Sequence, residues 1–123
     1  MRLGSSFPSI NFACGAALAD AAEFSCADSE VLALDIQNTG SAALTGFSVV
    51  GRISPGAPFR DITPASFTSQ SYQVLESATV TPVGLAAGAF SRFALNVSVL
   101  ESVKVLAAGA AAALQINAAG YQE

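Results

Sequence analysis

The sequence predicts an all-β chain folded as an antiparallel two-sheet β-sandwich, immunoglobulin-like or jelly-roll-like, with an extended N-terminal arm. Three observations carry this. Large apolar residues alternate with small or polar ones over 32–37, 47–53 and 92–99, the period-2 pattern of half-buried strands. Such runs recur roughly six to eight times at about 8–14-residue spacing, with glycine and proline turns between them. Helix competes only in the two alanine-rich stretches, 13–28 and 108–112, where Gly15 and Gly109 stand against a long one and leave a strand with a turn, a loose turn or a short helix as the readings. At 123 residues the chain makes one domain, read here as an arm, residues 1–12, and a single sandwich, residues 13–123.

The elements follow in order. In MRLGSSFPSINF, Phe7 and Phe12 flank Pro8, and an extended arm with aromatics needs a surface to dock on, its own core or a neighbouring subunit. Residues 13–28 favour helix by alanine content, but with Leu18 and Phe24 as the only large apolar side chains an alanine-rich strand with a turn is the better reading. Leu32, Leu34 and Ile36 alternate with Ala33, Asp35 and Gln37. Asn38-Thr39-Gly40-Ser41 is then a turn cluster, where glycine takes positive φ freely and asparagine tolerates it. Phe47, Val49 and Ile53 continue the inward pattern. Pro55, Pro58 and Pro64 end pairing, so 54–66 is a surface loop and a contact element, centred on Phe59, Arg60 and Asp61. Residues 67–80 resume strand character from Phe67 to Val74 or Leu75. Phe93, Leu95, Val97 and Val99 give the cleanest alternation, Val103 and Val105 another strand, and Leu114 and Ile116 the last, before a Gly120–Glu123 tail.

Composition limits the function. The chain is 52% hydrophobic and 11% charged, against about 25% charged for an average soluble domain. Its surface must be covered by small uncharged residues, by partner subunits, or by both, and this points to an oligomer or assembled protein. The net charge is −4, and the basic residues Arg2, Arg52, Arg60, Arg92 and Lys104 are scattered, which speaks against nucleic acid as a partner. Acidic residues gather mildly between Asp20 and Asp35 without the spacing of a cation loop. They read as a solvated face.

There is no histidine, so the commonest general base and metal ligand and the Ser-His and Cys-His dyads are missing. No nucleophile elbow or phosphate loop occurs. The expectation is no enzyme, no catalytic residues, no cofactor and no metal. Two cysteines, Cys14 and Cys26, cannot complete a zinc site. Buried free thiols are expected, with a short-loop disulfide as the alternative. Asn96-Val97-Ser98 fits a glycosylation triplet by chance. Tyr72 and Tyr121 are read as core-edge residues rather than ligand-facing ones. The N-terminus is a poor signal peptide, and no run approaches the ~18 apolar residues of a membrane span. Folding in a cytosol, without membrane contact, is expected.

Two stretches carry a resemblance. LALDIQNTGSAALTGF (32–47) is similar to the opening of immunoglobulin-like modules. LAAGAFSRFALNVSVLESVKVLAAGAAAALQINAAGY (85–121) resembles the small β-sandwich virion proteins of tailed bacteriophages, where a strand, S-V-K/R-V, small-residue turn and strand often close the chain. The resemblance covers about half the chain. The alanine-rich segment 13–22 and the lack of tryptophan depart from it. It implies a capsid decoration (cement) protein located in the virion and assembled in the host cytoplasm. Its partners would be the major capsid protein or other virion proteins. A neck, tail or fibre component, or a module binding a glycan or cell-surface receptor, is the alternative. Phe7, Phe12, Phe59, Arg60 and Asp61 are the expected contact residues, and both the arm and the 54–66 loop are expected to be dispensable for folding.

Overall fold

Ten strands account for the architecture of the computed structural model, which describes residues 2–71 and 73–122. They are β1 (Arg2–Ser6), β2 (Ile10–Ala13), β3 (Ala19–Ser25), β4 (Val31–Asn38) and β5 (Gly46–Arg52). The second half adds β6 (Arg60–Asp61), β7 (Val74–Glu76), β8 (Phe90–Asn96), β9 (Ser102–Ala108) and β10 (Ala113–Gln122). The larger sheet runs β1-β10-β4-β8-β7, with β2 also on β10, and the smaller runs β3-β9-β5-β6. All pairings are antiparallel. The all-β two-sheet sandwich is therefore the fold, and its strand order selects between the two expected forms. In an immunoglobulin sandwich the last strand lies beside the penultimate one. Here the last strand lies between the first and the fourth, and the chain crosses repeatedly between sheets, as in a jelly roll.

The N-terminal segment is the clearest refinement of the sequence reading. It is extended, as expected, and it docks on its own domain. β1 pairs Arg2–Ser6 with Gln122–Ala119, and β2 pairs Ile10–Ala13 with Ile116–Ala113. Together they form one edge strand along β10. The register slips between Leu3 and Ser5 and again across Phe7–Ser9, where Pro8 has no N–H to give a ladder. Phe7 turns inward at this break and meets Phe24 edge-on, 5.1 Å between centroids.

The core fills from both sheets. Leu32, Leu34 and Ile36 face Phe24, Val49 and Val105, all buried, as the alternation dictates. Phe67 enters from outside the strands. It stands 5.0 Å from Phe93 and 6.0 Å from Phe47, both edge-on, and each such pair contributes about 0.5–1.5 kcal/mol beyond burial. Of the strand expected over 67–80 only β7, Val74–Glu76, forms, and the chain around Phe67 does not join it. Residues 62–71 carry bends instead, since Ser66 and Ser71 Oγ accept the backbone N–H groups of Thr68 and Val74, a local alternative to the ladder. The expected tail, by contrast, belongs to β10 through Gln122.

Asn38 and Gly40 do more than turn the chain. Asn38 is fully buried at the end of β4. Its Nδ2 donates to the carbonyls of Ala42 (2.8 Å) and Leu85 (3.0 Å), and its Oδ1 accepts from Gly40 N (3.0 Å) and Ala113 N (3.4 Å). One side chain thus ties the β4–β5 connection to the loop before β8 and to the start of β10. Gly40 serves close approach rather than positive φ. A Cβ there would stand 2.6 Å from Ala112 Cα and collide with the Ala111 carbonyl.

Both cysteines are free thiols, Cys14 half-buried and Cys26 buried. Burial pushes the Cys26 thiol up to about 12, the Glu101 charge adds to this, and a Val103 backbone hydrogen bond works against it. Burial also raises Cys14. At pH 8 Cys26 is held as the unreactive thiol. A colorimetric disulfide reagent should therefore react with Cys14 alone in the native chain and with both thiols after unfolding. Equal reaction of both native thiols would contradict the burial described. Unfolding returns Cys26 to its ordinary 9.0. The stabilisation from its neutral form is therefore complete below that value and is lost as pH rises from 9 toward 12.

Candidate contact surface

Two large apolar residues that the alternation placed inside lie outside. Ile53 is 72% exposed and Val99 is 70% exposed. The reason is where the strands stop. β5 ends at Arg52 and β8 at Asn96, so each residue falls in a turn, where strand parity no longer applies. After β8 the Asn96 side chain makes the turn, its Oδ1 accepting from Ser98 N (3.1 Å) and Ser98 Oγ (2.9 Å), an Asx-turn. The glycosylation-like triplet is thus a turn device. Val97 is buried and Val99 points out.

Ile53 and Val99 crown one end of the sandwich. Two apolar hollows of about 290 Å³ and 110 Å³ open there, and both are lined by Ile62 and Leu100. The first also meets Ile53, Ala57 and Pro58, the second Pro64 and Val99. Gly51 makes room between them. A Cβ at that position would come within 3.1 Å of both Ile62 Cδ1 and Leu100 Cδ1. The proline-rich loop expected as a contact element therefore forms one wall of this end.

The loop is held by charge. Phe59 lies under two cations, with Arg52 Cζ 4.7 Å and Lys104 Nζ 4.4 Å from its ring centroid. Arg52 pairs with Glu101 at 2.8 Å, and Lys104 with Asp20 at 3.1 Å. The outer face of the smaller sheet thus carries an ionic lattice with an aromatic cap, Arg52 and Lys104 among Glu101, Asp20 and Glu23, the last reaching both cations at 3.9 and 4.0 Å. Asp20 and Glu23 of the mild acidic cluster belong to it. Each exposed pair contributes at most about 1 kcal/mol, but together they fix the loop's course. Asp61 accepts from Thr63 N (2.9 Å) and Thr63 Oγ1 (2.6 Å), and these bonds hold its carboxyl below the ordinary value. Thr63 Oγ1 also bonds Val49, which anchors the chain after β6.

The expected contact residues separate into two groups. Phe59, Arg60 and Asp61 come together beside the apolar end, with Arg60 and Asp61 exposed. Phe7 and Phe12 lie elsewhere. Phe7 packs on Phe24, and Phe12 sits opposite Leu114 on β10, half-buried. Tyr121 is half-buried on β10, and Tyr72 lies outside the described residues. Among the described residues no group of three or more histidine, cysteine, aspartate or glutamate side chains converges as metal ligands. Among the same described residues no helix is long and apolar enough to cross a membrane.

A second surface lies on the outer face of the larger sheet. Asn117, Asp35 and Arg92 stand side by side across β10, β4 and β8. Arg92 Nε and Nη2 both donate to Asp35 Oδ2, at 3.1 and 2.9 Å. Beyond them an open trough of about 320 Å³ is floored by Ala33 and Ala119 and bounded by Tyr121.

No protein-family model and no curated protein sequence matches the chain. Among solved structures the chain is similar to the SPBc2 prophage-derived protein YomS, with a TM-score of 0.56 and 8% sequence identity over 93% of this chain and 92% of that one. At that identity the likeness is one of fold. Both chains share the sandwich over nearly their whole lengths, and the neighbour is phage-derived.

Proposed function

We propose that this chain is a structural, non-catalytic protein of a bacteriophage virion, of the capsid decoration (cement) kind, acting by burying surface against the major capsid protein. The observation that carries this is the apolar end, where Ile53 and Val99 are 72% and 70% exposed beside two apolar hollows. Large aliphatic side chains so exposed mark protein contact surfaces when they are contiguous. Burying each contributes about 1.5–3 kcal/mol, reduced by the cost of association. Repeated copies on a symmetric shell would multiply a contact that is modest alone. The sandwich shared with a prophage-derived protein supports the reading, as do the low charge of the chain and the resemblance of 85–121 to virion sandwiches.

The test is co-sedimentation of purified chain with gradient-purified particles of its source. Wild-type chain should travel with the particle in many copies per shell. The double variant Ile53→Glu/Val99→Glu should lose this while keeping the wild-type melting curve, because both positions are exposed. Undiminished co-sedimentation of the variant would sink the assignment of this end. A few copies per particle would replace decoration by a neck, tail or fibre position. A chain that stays at the top of the gradient would remove the virion reading.

A further inference from the structure

We infer that the trough on the outer face of the larger sheet binds a neutral oligosaccharide. The inference does not rest on the virion reading, because it uses the outer face of the larger sheet, not the apolar end, and different residues. Both hydrogen bonds from Arg92 go to a single oxygen of Asp35. Among the described residues this leaves Asp35 Oδ1 free to accept and Arg92 Nη1, on the far edge of the guanidinium, free to donate. Neither group is sealed away, with side-chain exposures of 31% and 63%. One acceptor and one donor on the same open face can each meet a sugar hydroxyl, which both gives and takes hydrogen bonds. The exposed amide of Asn117, next in the same cross-strand row, offers a further donor and acceptor, about 4.8 Å from Asp35 by strand spacing.

The opposite wall is aromatic. Tyr121 is on the same face of β10 as Asn117, four residues on, which is about 13 Å along a strand. Ala119 and its partner Ala33 occupy the floor between and leave room there. Over that span, one ring of an oligosaccharide can lay its apolar C–H face on Tyr121 while another sets its hydroxyls against the polar groups. The charge state selects against other ligands. The guanidinium and carboxylate neutralise each other, so neither a phosphate nor an ammonium group finds an unpaired counter-charge. An extended peptide would seek a strand edge, and this surface is the middle of a sheet.

The experiment is a titration of isotopically labelled chain, followed by backbone amide shifts, with short neutral oligosaccharides of hexoses and N-acetylhexosamines and with sialylated counterparts. At least one neutral member should shift the amides of 33, 35, 117, 119 and 121 in a saturable way. Tyr121→Ala should weaken that binding about tenfold. Asn117→Ala, at an exposed position outside the core, should weaken it severalfold in a chain whose spectrum is otherwise unchanged. Absence of trough shifts with every neutral member at about 10 mM, well above the constants of weak sites, would overturn the inference. So would preference for the sialylated members, or equal binding by both variants. Failure here leaves particle co-sedimentation untouched, so the two readings fall separately.

Discussion

Asn38→Leu is expected to destabilise the protein by about 4 kcal/mol, a large part of the 5–15 kcal/mol that holds a typical domain. The side chain is fully buried and serves four backbone groups, the carbonyls of Ala42 and Leu85 and the amides of Gly40 and Ala113. Leucine has the same branched heavy-atom skeleton and is somewhat bulkier, so no cavity term arises. Each backbone group it orphans costs about 1–3 kcal/mol, partly offset by the apolar side chain. Asn38→Asp separates donor from acceptor. It keeps the Oδ1 that Gly40 and Ala113 use but turns a carboxylate on the Ala42 and Leu85 carbonyls, so it should destabilise strongly at pH 7 and less as the pH falls and the carboxyl regains a proton. Urea midpoints of wild type and both variants measure this. A loss under about 1.5 kcal/mol for Asn38→Leu would mean that these four groups find other partners and that the residue is only a turn former.

That residue also shows what the sequence made legible. The strand it ends is plain from Leu32, Leu34 and Ile36, because period 2 survives wherever one face is buried. Its own role is not, because an asparagine before Thr-Gly-Ser has the same local appearance whether it bends the chain at the surface or ties three segments in the interior. The deciding partners, Leu85 and Ala113, are 47 and 75 residues away. Strand parity failed at Ile53 and Val99 for a related reason. The alternation continues past the last ladder bond in the sequence, while the fold obeys it only as far as Arg52 and Asn96. An Asn-x-Ser step and a Ser-Pro-Gly step stood beside these residues as signals of the turns that expose them. The prolines marked where β5 stops, since proline cannot give a ladder N–H. Yet 54–66 is not wholly a surface loop: Arg60–Asp61 pairs with β5 as β6 and Pro64 is buried, partners no local signal named. The strand order was illegible, because β10 pairs with the first strand and the fourth, and such distant partners leave no local trace.

Removing residues 1–13 is expected to yield an aggregating chain rather than a folded sandwich without its arm. From sequence alone the segment looks dispensable. In the structure it supplies the whole edge of β10, from Arg2 against Gln122 to Ala13 against Ala113. Its loss would open the backbone edge of the longest strand, Ala113–Gln122, beside Leu114 and Ile116, an edge with no charged side chain to blunt it. It would also uncover Phe24, which Phe7 covers at 5.1 Å. Phe7→Ala alone, at a half-buried site, should cost about 2 kcal/mol, below the 3–5 kcal/mol of a fully buried phenylalanine. Size-exclusion chromatography and urea melts distinguish the outcomes. A truncated chain that stays monomeric with an unchanged midpoint would mean that the edge strand is an appendage. If the edge is the cause, a peptide of residues 2–13 added in trans should restore the monomer-sized folded species by strand addition, and a scrambled peptide should not. The same result decides how docking is to be tested. A truncation that unfolds the chain abolishes every contact indiscriminately, so particle binding must be probed at Ile53 and Val99, whose replacement removes apolar surface while each strand keeps its partner.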